Sequence, residues 1–260
     1  MPDPAYFRDC EQHAADPLPS HGADIVHVWK IDLGRSDWRG CLAALSIDER
    51  DRAGRFLFEQ DRRRFVVARA ALRSLIGWHV QVPARRIHLT VQSHGKPRLV
   101  ADGHEDKVRF NVSHSYDLAL IAISGEREVG VDVERIRPLA DLDNIAARHF
   151  APAERQALFR AMPVDRLPLF YRYWTLKEAY LKARGFGIHM PLDAVDVSAA
   201  AEDPFVLQGG WSARTLTCEP GYAAALVVAG RAEYSVAISA GPLTRTDTPP
   251  TVDTSTSANG

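Results

Sequence analysis

The sequence predicts an α+β fold built from two similar halves. Two observations lead there. Strand-like and helix-like patterns alternate along the chain. A split near residue 125 leaves each side with a helical portion and three or four strands. Charge divides unevenly, with 18 basic and 16 acidic residues over 1–125 and 14 against 17 over 126–260, and a slightly cationic half facing a slightly anionic one would suit an anionic ligand bridged by a metal. A diverged duplication of one α+β unit fits this plan, although no tandem repeat is visible by identity. At 260 residues, one large domain or two small ones would bury enough apolar surface to fold without staples. The expected divisions are a loosely ordered N-terminus over 1–20, a first half over 21–125, a second over 126–240 and a disordered tail over 241–260. That tail is rich in Thr, Ser and Pro and lacks the apolar content that offsets ordering entropy.

The elements follow from local signals. Ile25 to Ile31 reads as a strand. Ser46-Ile47-Asp48-Glu49 matches the S-x-x-E capping box, so a helix begins there. A second helix is expected from about Arg62 to Ile76, with Gly77 as its C-terminal cap. Strands are expected near Arg86–Val91, Val108–Val112, Asp117–Ser124 and Val129–Glu134. Helices are expected over about Leu142–His149, Pro152–Met162 and Arg166–Arg184, with Pro152 suited to a first helical turn. Three strands close the chain, near Trp211–Cys218, Tyr222–Ala229 and Glu233–Ser239.

Composition excludes several classes. A net charge of −1 argues against a polybasic nucleic-acid coat and against an acidic solvating protein. With 46% apolar and 25% charged residues the chain has ordinary globular composition. Cys10, Cys41 and Cys218 show no C-x-x-C spacing and leave one over, which argues against a disulfide framework or a zinc site. The N-terminus has no apolar core of a signal peptide, and no stretch approaches the roughly 20 apolar residues that span a bilayer. A soluble cytoplasmic protein with no membrane partner is expected. Among the 32 basic residues only five are Lys: Lys30, Lys96, Lys107, Lys177 and Lys182. Where Arg is the default cation, a Lys is a candidate for chemistry, with chance as the plain alternative.

Five constellations carry candidate chemistry. In Val129-Gly130-Val131-Asp132-Val133-Glu134, side chains two apart on a strand share a face. Asp132 and Glu134 therefore sit together, and two carboxylates that close repel unless a cation intervenes. Oxygen ligands without His or Cys suit a hard ion such as Mg²⁺, with Mn²⁺ as the alternative. The plainer reading is a solvated face of an edge strand. In Trp174-Thr175-Leu176-Lys177-Glu178-Ala179-Tyr180-Leu181-Lys182, Glu178 and Lys182 lie one turn apart. They read either as a surface ion pair or as a third oxygen ligand beside a phosphate contact. Phe110-Asn111-Val112-Ser113-His114-Ser115 offers short polar groups and a His at a strand end, suited to phosphate oxygens or to turn hydrogen bonds. His94-Gly95-Lys96-Pro97 is a tight turn presenting one Lys; it lacks the features of a Walker loop. Residues 49–73 hold eight Arg against four acids. Most of these Arg should be solvated, with one or two able to grip a phosphomonoester. Interleaved acids and few aromatics argue against nucleic acid.

Together these motifs resemble the 4'-phosphopantetheinyl transferases of the larger surfactin-synthetase-activating (Sfp) type, over roughly Ala44 to Ser239. The resemblance implies two halves related by a pseudo-twofold, with coenzyme A in the cleft between them. It implies transfer of the phosphopantetheine arm to a serine of an acyl or peptidyl carrier protein, releasing 3',5'-adenosine bisphosphate. It implies Asp132, Glu134 and Glu178 as ligands of Mg²⁺, and Lys182 as the charge that stabilises the departing group. Glu178 would take the serine proton, directly or through water. It places Arg52, Arg64, Gly95, Lys96, Pro97, Ser113, His114 and Lys177 with Lys182 on coenzyme A, with Arg69 a weaker candidate. Glu49 departs from a family position that can carry Lys. Phe150, Phe170 and Phe186 would anchor the carrier, and the duplicated halves would let a monomer form the site. Two rivals stay open: a non-catalytic coenzyme A or nucleotide binding module, and a metal-dependent phosphohydrolase.

Overall fold

The computed structural model describes residues 25–35, 37–91, 96–100, 108–185, 190–201, 203–230 and 234–240. The segments 1–20 and 241–260, with Gly95, Lys107 and Phe186, lie outside these described residues.

The first half runs β1 (Ile25–Asp32), α1 (Ile47–Gly54), α2 (Glu59–Val80), β2 (His88–Val91), β3 (Pro97–Val100), β4 (Arg109–Ser115) and β5 (Leu118–Ser124). The second runs β6 (Val129–Arg135), α3 (Leu142–His149), α4 (Pro152–Arg160), α5 (Pro163–Arg184), β7 (Phe205–Leu207), β8 (Trp211–Thr215) and β9 (Tyr222–Ala229), before β10 (Ser235–Ala240). Two four-stranded sheets result, in the orders β10-β1-β5-β4 and β6-β9-β8-β7, beside a β2-β3 hairpin. The plan repeats. β1 pairs antiparallel with β5 and β5 with β4; β6 pairs antiparallel with β9 and β9 with β8. A 22-residue helix, α2 in one half and α5 in the other, separates the leading strand from those pairs. This is the α+β pair of halves related by a pseudo-twofold.

The last strand departs from the symmetric division. β10 runs parallel to β1 and extends the first sheet, although it follows the second half in sequence. The physical gain is that β1 no longer presents an open edge.

Strand alternation sorts the core into three clusters. One face of β1 and β5, with Trp29, Ile31, Ala119 and Ile121, packs under α2. Ala213, Ala225 and Val227 pack under α5. Between the sheets, Val26, Val28 and Leu120 meet Val131, Val133 and Leu226. β5 is therefore buried along its whole length, as a strand covered on both faces must be.

The sheets also meet edge to edge, and here the contact is unusual. Val131 N–H donates to Asn111 Oδ1 at 2.9 Å, Val133 N–H to Ser113 Oγ at 3.3 Å, and Arg135 N–H to Ser115 Oγ at 3.1 Å. Three alternate side chains of β4, Asn111, Ser113 and Ser115, thus cap backbone donors of β6. Side-chain acceptors replace the backbone carbonyls of an ordinary ladder, and the buried N–H groups are satisfied.

Local signals held in several places. Glu49 accepts from Ser46 N–H at 3.1 Å, as a capping box requires. Pro152 opens α4. The expected cap at Gly77 is corrected: α2 continues to Val80 and ends at Gln81, whose φ is 56°. Gly77 is small because the chain folds back over it, and a Cβ there would lie 2.4 Å from Val82 O. Strands β3 and β7 went unmarked because four and three residues carry too little periodicity.

Gly130 sets the height of α5 above β6. A Cβ at this position would stand 2.1 Å from Ala179 O and 2.3 Å from Ala183 N. The glycine in Val-Gly-Val-Asp thus lets the helix bearing Glu178 and Lys182 lie directly on the strand bearing Asp132. Gly130→Ala is expected to push the helix off, at a cost of about 1–3 kcal/mol by overpacking. Urea denaturation of both proteins measures it, and an unchanged midpoint would contradict the close approach.

Candidate active site

Strand β6 turns Val131 and Val133 into the inter-sheet core and Asp132 and Glu134 toward α5. The solvated-edge alternative fails, because Asp132 is only 2% exposed. Its Oδ1 accepts from Ser113 Oγ at 2.7 Å and from Lys182 Nζ at 2.5 Å. Its Oδ2 is buried without a partner, a costly state for a carboxylate oxygen. Glu134 Oε2 accepts from Ser115 Oγ at 2.8 Å.

Glu178 and Lys182 project from one face of α5 onto this pair. Lys182 is not merely the i,i+4 partner of Glu178; its ammonium reaches Asp132 and donates to Ser113 Oγ at 2.9 Å. Burial pushes the Glu178 carboxyl above the usual range. The charges of Asp132 and Glu134 push it further, and Lys182 opposes them. Burial also raises Glu134; the Ser115 hydrogen bond opposes this and the Asp132 charge adds to it. The three carboxylates therefore share one electrostatic neighbourhood.

Positive charge gathers beside them. His114 is held below the usual imidazole range by loss of solvent, then by the charges of Lys182 and Arg64. Arg64 donates from Nε to Asp117 at 3.0 Å. Its guanidinium lies 5.8 Å from the Tyr116 ring, with Arg135 on the same ring at 4.6 Å. In the first half a cavity of about 190 Å³ is lined by Arg52, Phe65, Arg69, Glu49, Thr90 and Pro97. Arg52 lies 5.0 Å over the Phe65 ring. Arg69 turns onto Glu49, which also takes Arg73 at 3.1 Å. Glu49 thus neutralises Arg69 inside the cavity wall.

One expected phosphate contact, Lys177, is corrected, and two other residues expected on coenzyme A, Lys96 and Ser113, have partners within the protein. Lys177 is fully buried and pairs with buried Glu154 at 2.8 Å. It also donates to Leu192 O at 2.9 Å and to Val195 O. Successive helix residues diverge by about 100°, so a helix aiming Glu178 at β6 aims Lys177 elsewhere. Lys96 donates to Glu128 at 2.7 Å, Ala183 O at 3.1 Å and Val129 O at 3.2 Å. An ammonium has three donors, and all three join the first half to the second. Ser113 is likewise enclosed, with its hydroxyl shared among Asp132, Val133 N–H and Lys182. Gly95 lies outside the described residues. Phe150 and Phe170 stack on each other at 5.1 Å in the second core, so they are not exposed anchors, and Phe186 lies outside the described residues.

Sequence reasoning missed Tyr116, Arg135 and Glu154, and it gave Ser115 no role of its own. The alternation Asn111, Ser113, Ser115 was a usable signal, since three short polar residues on one strand face point at something polar. Glu154 carried none, because its partner is 23 residues away. Among the described residues no three His, Cys, Asp or Glu side chains are already gathered as a metal cluster.

Comparison with known proteins bears on the same residues. A profile described as 4'-phosphopantetheinyl transferase superfamily matches 128–238, and one described as 4'-phosphopantetheinyl transferase, N-terminal, matches 29–126. The 4'-phosphopantetheinyl transferase HetI of Nostoc sp. is 40% identical over 213 residues, covering 80% of this chain and 89% of that protein. The 4'-phosphopantetheinyl transferase of Bacillus subtilis is 31% identical over 158 residues, 60% of this chain and 67% of its own. The L-aminoadipate-semialdehyde dehydrogenase-phosphopantetheinyl transferase of Xenopus laevis is 31% identical over 182 residues, 65% of this chain and 60% of its own.

The reassignment of Lys177 is measurable. Lys177→Met leaves Glu154 buried without its cation and is expected to cost about 3–5 kcal/mol in urea denaturation. Adding Glu154→Leu should recover most of that loss. A stable Lys177→Met protein with weakened coenzyme A binding would return Lys177 to the phosphate.

Proposed function

This chain belongs to the 4'-phosphopantetheinyl transferase superfamily, and from that premise we propose how its residues move the phosphopantetheine arm of coenzyme A to a carrier-protein serine. The observation that carries the reading is the junction of Asp132, Ser113 and Lys182, where both halves and α5 meet on one buried carboxylate.

The serine oxygen attacks the phosphorus bearing the pantetheine arm. The bond to the bridging oxygen of the pyrophosphate breaks, and 3',5'-adenosine bisphosphate leaves with the electron pair. Such transfers depend mainly on positioning and charge neutralisation. Glu178, whose carboxyl has a raised proton affinity, accepts the serine proton directly or through one water. Lys182 supplies positive charge to the departing bisphosphate. Arg64, whose charge acts on His114, holds phosphate oxygens, and His114 takes the adenosine 3'-phosphate. Arg52 and Pro97, in the first-half cavity, receive the nucleotide end.

The residues fit a divalent ion. Asp132 Oδ2 is buried and unpartnered, and Glu134 and Glu178 bring further hard oxygens into the same field. Mg²⁺ commonly takes one or two carboxylates and completes its shell with water and substrate phosphates, so a partial protein set is enough. Asp132, Glu134 and Glu178 would hold Mg²⁺, or Mn²⁺ in its place, and the ion would neutralise the pyrophosphate. Since residues of both halves build the junction, one chain is proposed to act as a monomer. No helix among the described residues is long and apolar enough to cross a membrane.

The assay is mass gain on an apo carrier domain with coenzyme A and Mg²⁺. Addition of one phosphopantetheine to the acceptor serine is expected, and Asp132→Asn and Glu178→Gln should each reduce the rate at least about 100-fold. Coenzyme A binding without transfer across fatty-acid, polyketide and peptide carriers would leave a binding module. Release of phosphopantetheine to water without a carrier would make the chain a phosphohydrolase.

A further inference from the structure

The β4–β6 ladder has three rungs, and they are not equivalent. Asn111 caps Val131 N–H, while the described hydrogen bonds to Asp132 and Glu134 come from Ser113, Lys182 and Ser115. Ser113 caps Val133 N–H and donates to Asp132. Ser115 caps Arg135 N–H and donates to Glu134. A hydroxyl has one donor and two acceptor positions, so each serine can accept from the backbone and donate to the neighbouring acid together. The accepting bond fixes the hydroxyl, and the fixed hydroxyl fixes the acid.

Glu134 needs such a restraint. It stands two residues from Asp132 on the same face, and the two charges repel. It lies at the end of β6, where side-chain exposure rises. Asp132 has a direct ion pair with Lys182, whereas Lys182 and Arg137 act on Glu134 through their fields. The Glu134 carboxylate accepts a hydrogen bond from Ser115.

We propose that Ser115, held by Arg135 N–H across the joint between the halves, is a positioning residue that aims Glu134 at the divalent ion. The proposal rests on the metal reading above. It makes docking of the two halves a condition for assembling the ion site, because the donor to Glu134 comes from the other sheet. Groups that orient a ligating carboxylate typically change metal affinity 10- to 100-fold when removed.

The test is Mn²⁺ binding to the full chain with saturating coenzyme A, followed by electron paramagnetic resonance. Ser115→Ala is expected to weaken Mn²⁺ binding about 10-fold or more. The loss should vanish in a Glu134→Gln background, since the two residues act as one unit. Asn111→Ala removes a rung without touching an acid, and is expected to lower thermal stability while keeping Mn²⁺ affinity within about twofold. Should Ser115→Ala fail to fold, Ser115→Cys keeps the volume with a weak donor and reads the same quantity. Wild-type Mn²⁺ affinity in a folded Ser115 variant, or an equal loss in the Glu134→Gln background, would overturn the proposal. If Asp132→Asn abolishes binding while Ser115→Ala does not change it, only the role of Ser115 falls. If Asp132→Asn also leaves binding unchanged, the metal reading itself falls, and this proposal with it.

Discussion

A carboxylate taken out of water must be matched by donors and positive charge, and Asp132 draws both from different parts of the chain. Its own strand belongs to the second sheet, the hydroxyl of Ser113 comes from the edge of the first, and the ammonium of Lys182 comes from α5. Removing any of the three groups would leave buried polar atoms unmatched. The requirement therefore couples sheet docking, helix position and site chemistry. The remaining oxygen of Asp132 is buried and unpartnered, which is the kind of local cost that folded proteins retain where function depends on it.

Two features keep that junction in place. Gly130 lets α5 approach the strand backbone, so the height of the helix is set by the absence of a side chain. On another face of the same helix, the Lys177–Glu154 pair ties α5 to α4 and to the loop through Leu192 and Val195. A buried pair of this kind contributes little net stability over a well-packed apolar one. Its value is directional, since both groups have to be matched and only one rotation of α5 matches them.

The sequence made several parts legible for definite physical reasons. A strand repeats every two residues, so Val129 to Glu134 could be divided into a core face and an acidic face before any coordinates. A helix repeats every 3.6 residues, so Glu178 and Lys182 could be put on one stripe. Lys177 was misread because the motif gives adjacency in sequence, and adjacency on a helix means divergence in space. The protein partners of Lys96 were not legible, because its acceptors, Glu128, Val129 and Ala183, lie 32 to 87 residues away. Glu49 shows the converse. It breaks an expected positive position, and the structure accounts for it by the pairs with Arg69 and Arg73.

Of the five lysines, Lys96 joins the two halves, Lys177 supports the second core, and Lys182 alone of these stands in the acidic site. Composition marked all three without separating their roles. By itself the sequence determined the periodic features: two α+β halves, the paired acids, the helix stripe and the capped helix starts. These depend on residues within one turn or two strand positions. Tertiary structure decided the partners. It moved β10 onto the first sheet, joined β4 to β6 through side chains, and gave each buried charge its counterpart. Those choices depend on groups tens to more than a hundred residues apart, brought together by burial and by the need to satisfy every buried donor and charge, which no local pattern records.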